Sequence, residues 1–325
     1  MLRYIFKRLL MLIPIIIGAS AIIFFILNLG GDDPVMLLLA GTEPDELTIE
    51  LTRKELGLDK PIAIQFLDYM KGLLTGDLGT SWKTGKPVFE EYMMRFPATV
   101  KLAFVALSIS VLISIPIGII SAVKQYSLFD NIGMVAALLG IAMPNFWLGL
   151  LLIICFSVQL GWLPSGGYGG LAFLILPAIT IGTDQAALLT RMTRSSMLEV
   201  IRQDYIRTAR AKGLVEKVII IKHGLKNALI PIVTVIGNQF GHALGGAVLT
   251  ETIFSWPGVG RFMIEGINKH DRPVVIGCVI MLCIMISIVN LGVDIIYAFV
   301  DPRIKTDMTK KVLRGGGLKC QKGQQ

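Results

Sequence analysis

Charge is scarce in this sequence. Asp, Glu, Lys and Arg make up 17% of its 325 residues while 54% are hydrophobic, proportions that exclude a water-soluble domain folded around one core. Histidine is scarcer still. His223, His242 and His270 are the three in the chain, they fall on separate segments, and neither metal-ligand spacing nor a nucleophile elbow accompanies them. That argues against an intramembrane hydrolase and against a metal site. The four cysteines make no metal or redox spacing either. Cys155, Cys278 and Cys283 lie inside apolar runs and read as small hydrophobes, Cys320 lies in the tail, and no disulfide is inferred.

A nucleotide-binding loop is also missing. The stretch "TSWKTGKP", residues 80–87, superficially resembles one, but the Walker pattern requires Gly where Thr80 stands and Ser or Thr where Pro87 stands. The chain is expected to carry no ATPase of its own.

What is abundant is long apolar sequence. A helix needs roughly 20 apolar residues to cross a bilayer, and six stretches meet or approach that length, at about 9–29, 99–123, 132–160, 171–190, 228–249 and 274–300. The expected fold is all-α, a polytopic membrane protein with six transmembrane helices. The start, "MLRYIFKRLL", has the charge of a signal peptide, yet the apolar run behind it is long and lacks a clear cleavage site, so an uncleaved first span is expected.

The excess of 31 Lys and Arg over 23 Asp and Glu would suit nucleic acid or simply orientation in the membrane, because cytoplasmic loops retain positive charge. Its distribution favours orientation, with no nucleic-acid partner. If the amino terminus is inside, twenty basic residues fall in inner segments, nine of them in 191–227, and ten in outer loops. Both termini are then cytoplasmic.

Four regions follow: residues 1–30, the N-terminus and first span; 31–98, an ordered extracytoplasmic loop; 99–305, a five-span core with the inner loop 191–227; and 306–325, a basic, Gly-rich tail expected to be disordered. In the outer loop, "PDELTIELTRKELGL" and "PIAIQFLDYMKGLL" read as short helices and "TGDLGTSW" as a turn, either a cap beside a mouth or a spacer. Pro144-Asn145 bends the third span, since Pro removes a backbone donor. Gly237, Gly241 and Gly245 recur every four residues and form a groove for helix packing. Asn238, Gln239 and His242 between them either line a pathway or pack tightly.

Ionisable residues inside spans are functional candidates because their burial in lipid is costly. Asp184 and Asp294 qualify, with Asn290 as a neutral companion, unless both acids lie at inner ends and pair with Arg191 or Arg303. Glu251, at the outer end of span five, faces either the channel mouth or an external protein.

The stretch "DYIRTARAKG", Asp204 to Gly213, stands out among the apolar segments. From Glu199 to Lys212, Ile201, Tyr205, Ile206 and Ala209 fall on one helical stripe while Arg202, Gln203, Arg207 and Arg210 lie largely off it, and Gly213 ends the helix. This amphipathic helix rests on anionic lipid or on a protein groove. The small residues Thr208, Ala209 and Ala211 beside Lys212 and a turn glycine favour the groove.

"RTARAKG" resembles the coupling segment, the EAA loop, of ABC-importer permeases. Its surroundings are similar to the dipeptide, oligopeptide, glutathione and nickel branch: "LGLDKPIAIQF", "GDLGTSW", "FPATVKLA", "RMTRSSMLEV", "HGLKNALIPIVT", "ETIFSWPGVGR" and "DPR" occur in order. The resemblance implies the type I importer permease fold and a subunit of the bacterial cytoplasmic membrane that forms half of a translocation pathway. Its implied partners are a homologous second permease, two cytoplasmic ATPases that use ATP and Mg, and an extracytoplasmic solute-binding protein. The permease itself binds no cofactor. Tyr205 to Gly213 would then couple to an ATPase. The family's Glu-Ala-Ala falls on Arg207, Thr208 and Ala209 and its glycine on Gly213; the first two positions depart from the general pattern, as do His223 to Lys226 where Ile-x-Leu-Pro is usual. An ion-gradient-driven secondary transporter is the competing class, but it often carries paired broken helices and this sequence shows one.

Overall fold

Backbone amides in lipid find partners only within their own segment or in packed protein, and the apolar stretches of this chain do so as helices. The computed structural model describes residues 2–29, 33–39 and 44–300. The tail from Thr306, the closing "DPR" and Cys320 lie outside them.

Among the described residues, five straight helical segments are long and apolar enough to cross a membrane. They are α1 (Leu2–Leu29), α5 (Val88–Val123), α8 (Ala172–Ile201), the run from α10 (Glu216–Val218) through a π-helical turn at Ile219–Leu225 into α11 (Lys226–Gly246), and α14 (Arg272–Val300). The sixth is broken. Its halves, α6 (Leu128–Ala142) and α7 (Asn145–Leu152, continued by π-helix to Gln159), meet at 104°. Met143 is extended (φ −85°, ψ 119°), as the residue before a proline prefers, and Pro144 offers no N–H to continue the ladder.

At the end holding residues 33–39 and 44–87, three short helices precede α5: α2 (Pro34–Leu38), α3 (Glu46–Glu55) and α4 (Ile62–Leu74). Asp33 and Asp45 cap the first two by accepting from Val35 N and Thr48 N. Gly76 and Gly79 turn the chain at φ of +83° and +84°. At the same end lie α12 (Val248–Ile253) and α13 (Val259–Asn268). The opposite end carries the short helix α9 (Asp204–Ala211).

The helices are held by close backbone approach. In α5, Ala106, Ser110, Ser114, Gly118 and Ala122 recur every four residues and all are buried. This small-residue face meets α8: a Cβ on Gly118 would come within 2.5 Å of Thr193 Cβ, and one on Gly182 within 2.9 Å of the Ala106 carbonyl oxygen. The Gly237, Gly241 and Gly245 face receives α14 through Val293, Asn290 and Ile286. Ion pairs pin the α9 end, where Arg194 grips Asp130 at 2.6 Å and Arg8 meets Asp294 at 2.6 Å.

Three boundaries differ from the sequence-based expectation. α5 begins at Val88 rather than near 99, and its interior Pro97 and Pro116 do not end it. α8 continues past 190 to Ile201, because Thr193, Ser196 and Met197 still find a buried face. The helix expected from Glu199 therefore starts only at Asp204, after extended Gln203 (φ −73°, ψ 150°) turns the chain.

Replacing Gly118 with Val should wedge α5 from α8 at a cost of about 1–3 kcal/mol. Thermal unfolding of the detergent-solubilised protein should fall by several degrees, whereas Gly18→Ala, whose added Cβ meets open space, should leave it unchanged; equal midpoints for both would refute this packing account.

Candidate functional site

Two sites emerge, one beyond the C-terminal end of α8 and one at its middle. The first is α9. Its apolar face is small and internally satisfied: Ile206 and Ala209, buried at 0% and 8% exposure, pack on Ile219 of the π-helical turn. The Tyr205 hydroxyl accepts from Asn227 Nδ2 at 2.9 Å. Arg210 forms a bidentate pair with Glu216, at 3.1 and 2.6 Å, which ties the end of α9 to the start of the next helix. Arg207, Thr208, Ala211, Lys212 and Gly213 remain exposed. Gly213 closes the helix at φ +74°, donating to the Arg210 carbonyl at 2.9 Å, and nothing within the chain lies near its missing Cβ.

One expectation holds and one is corrected. Ala209 shares the apolar stripe with Ile206, as its spacing predicts, and that stripe packs on Ile219. Tyr205 is not on that buried stripe but is 42% exposed at its edge.

The second site opens where the third span breaks. Asn145 at the break, Asp184 and Gln185 in α8, and Gln239 and His242 in α11 line a cleft of about 340 Å³, walled by Ile141, Ile181, Leu188 and Ala243. Asp184 lies ~18 Å along α8 from Ala172, mid-helix rather than at an inner end. Gln185 donates from Nε2 to the Gln239 carbonyl at 3.2 Å, while its buried Oε1 accepts nothing among the described residues. Sequence reasoning missed Gln185 as a site residue and saw Asn145 only as part of a kink; their sole signal was polarity within an apolar run.

The remaining candidates go elsewhere. Asn238 is exposed outside the cleft lining. Asn290 packs against Gly241 in the α11–α14 seam. Asp294 pairs with Arg8 of the first span, and Arg303 lies outside the described residues.

Glu251 is a correction. At 0% exposure it faces neither a mouth nor an external protein. Its carboxylate accepts from Thr99 Oγ1 at 2.6 Å, Gly260 N at 2.7 Å and Arg261 N at 3.1 Å, and Thr99 Oγ1 in turn accepts from Val259 N. Burial pushes this carboxyl above the usual range, and the three donors pull it back. Gly258 must be glycine because a Cβ would strike the carboxylate. Trp256 Nε1 donates to the Ala98 carbonyl at 3.0 Å, and the Phe254 carbonyl accepts from Gly167 N at 2.8 Å. "ETIFSWPGVGR" is thus a clamp that joins three segments at one end.

The Walker-like stretch also binds an anion, the chain's own. Ser81 Oγ donates to Asp271 at 2.6 Å, with Trp82 N and Lys83 N at 3.3 Å, and Asp271 is 2% exposed.

Comparison with known proteins adds to this geometry. Residues 114–306 match the family model for the inner membrane component of binding-protein-dependent transport systems, and residues 1–103 match that for the N-terminal part of such membrane components. The chain is 44% identical to the dipeptide transport system permease protein DppB of Alkalihalophilus pseudofirmus, over 94% of this chain and 100% of that protein. It is 43% identical to the glutathione transport system permease protein GsiC of Pectobacterium atrosepticum, over 94% and 99%. In fold it is similar to the inward-facing MetNI methionine ABC transporter, with a TM-score of 0.57 at 19% identity over 65% of this chain and 96% of that one. An amino acid ABC transporter gives 0.51 at 16%, over 66% and 94%.

Glu251→Ala should orphan three donors and destabilise the protein by about 3–5 kcal/mol. Glu251→Gln keeps one acceptor for the two amides and should cost about 1 kcal/mol. Equal thermal midpoints for the two variants would remove Glu251 from the clamp.

Proposed function

Because the chain belongs to the family of inner-membrane components of binding-protein-dependent transport systems, we propose a specific reading of its two sites within that role. It is the permease subunit of an ABC importer and not an ion-driven secondary transporter. In our reading α9 is the handle through which a separate cytoplasmic ATPase moves the spans, and the cleft at the broken helix belongs to the pathway.

The observation that carries this reading is how α9 is held. Its apolar face is satisfied by Ile219, so it has little left to bury in lipid, and the Arg210–Glu216 pair stiffens its exit. Arg207 and Lys212 project from a short rigid helix joined through a two-residue turn to α8. A push on such a helix reaches Asp184 and Gln185 without needing to deform a loop. Exposed cations also favour an acidic groove and orient docking.

The termini and α9 are then cytoplasmic, and residues 33–87 with α12 and α13 face a solute-binding protein. Two ATPase subunits hydrolyse ATP with Mg, and a homologous permease completes the pathway. The relatives named for dipeptide and glutathione support a small peptide as the solute.

Purification of the tagged chain from its native membrane in mild detergent should recover two ATPases and a second permease. Gly213→Trp, placed where the chain itself leaves open space, should preserve insertion yet lower uptake at least tenfold relative to ATP hydrolysis. Normal uptake by this variant would sink the handle.

A further inference from the structure

A carboxylate in the middle of a membrane protein is costly unless something positive meets it. Asp184 is in that position. No Lys or Arg lines its cleft, and His242, which does, interacts with it electrostatically. Three buried acids elsewhere are met differently, Asp130 by Arg194, and Glu251 and Asp271 by hydroxyl and backbone donors, whereas Glu91 in α5 also keeps one carboxylate oxygen without a donor among the described residues.

Gln185 adds an independent observation. It is 3% exposed, and because its Nε2 is committed to the Gln239 carbonyl, its Oε1 is the free end. That oxygen lacks a donor among the described residues, and a buried acceptor left without one costs about 1–3 kcal/mol. Asn145 and Gln239 contribute neutral amides, and four aliphatic side chains supply the walls. An anion would confront Asp184 with no Lys or Arg in the lining to compensate it. An apolar group would leave Gln185 Oε1 unsatisfied. The complement to this arrangement carries positive charge and several N–H donors on a small head.

We propose that this cleft is a binding site for the protonated amino group of the transported solute, with Asp184 as counter-charge and Gln185 Oε1 as an oriented acceptor. This rests on the transport reading above and deepens it by making the permease itself discriminate among solutes. The walls come from both halves of the broken span, from α8 and from α11, so movement transmitted along α8 from α9 would reshape the cleft. A transport site must release what it holds, which suits one carboxylate and a few amides better than a closed cage.

The test uses the complete importer complex in nanodiscs without solute-binding protein, and saturation-transfer NMR with alanylalanine and N-acetyl-alanylalanine as probes. The wild-type complex should show stronger transfer to the free-amine peptide. Asp184→Asn should lower that signal about tenfold, towards the acetylated peptide, as loss of a charge-assisted contact does. Asp184→Glu should restore most of it, and Gln185→Leu should weaken it in part. Equal signals from the two peptides in the wild-type complex would overturn the proposal, as would Asp184→Asn binding both as the wild type does. The two readings fail separately. Selective binding of the free-amine peptide by a complex whose cells take up no peptide would leave the site standing and remove the peptide as substrate. Peptide uptake with equal binding of both probes would remove the site alone.

Discussion

The contact between α5 and α8 is the constraint on which the rest of the structure depends. Lipid tails are as apolar as Leu, so two helices in a bilayer gain little by burying large side chains against each other. What holds them is close van der Waals contact, and that requires small residues on one face. Ala106, Ser110, Ser114, Gly118 and Ala122 provide such a face. With α8 seated on it, Asp184 and Gln185 are fixed at mid-depth, and the helix can run on past the apolar region to Ile201 without fraying, carried by the buried Thr193, Ser196 and Met197. The residues at the cleft and the turn that leads into α9 are therefore set by one continuous helix.

Some polar groups in the interior are consumed by the structure. Glu251 gathers Thr99, Gly260 and Arg261, Asp271 gathers the turn at Ser81, and Asp130 holds Arg194. These bonds fasten the ends of helices whose middles are held only by shape. In the cleft no Lys or Arg lines the space around Asp184, and Gln185 keeps a buried oxygen unengaged, as Ser110, Ser114 and Glu91 do elsewhere among the described residues.

Hydropathy and helical period carried much of this architecture, including five of the long apolar helices and the bent pair that follows α5, the short helices of residues 44–74, the break at Pro144 and the basic helix closed by Gly213. They misplaced features set by contacts across the molecule. The start of α9 depends on where α8 stops, and α8 stops late because Met197 and Thr193 still have neighbours. The stripe of Ile206 and Ala209 was legible in the helical period, but not that Ile219 is what it packs on. The α5 stripe was legible as a repeat of small residues every four positions, but it was hidden by the larger aliphatic residues between them.

The sequence by itself determined which segments belong in lipid, where a span must break and which short helix stands out in charge, because each of these is a property of neighbouring residues along one chain direction. Only the tertiary structure decided which polar side chains meet. Glu251 and Thr99 are separated by 152 positions and Gln185 and Gln239 by 54, and no local periodicity records such pairings. They follow from which helix faces are small enough to touch, so the clamp, the packing of Ala209 on Ile219 and the cleft around Asp184 became visible only once the helices were packed.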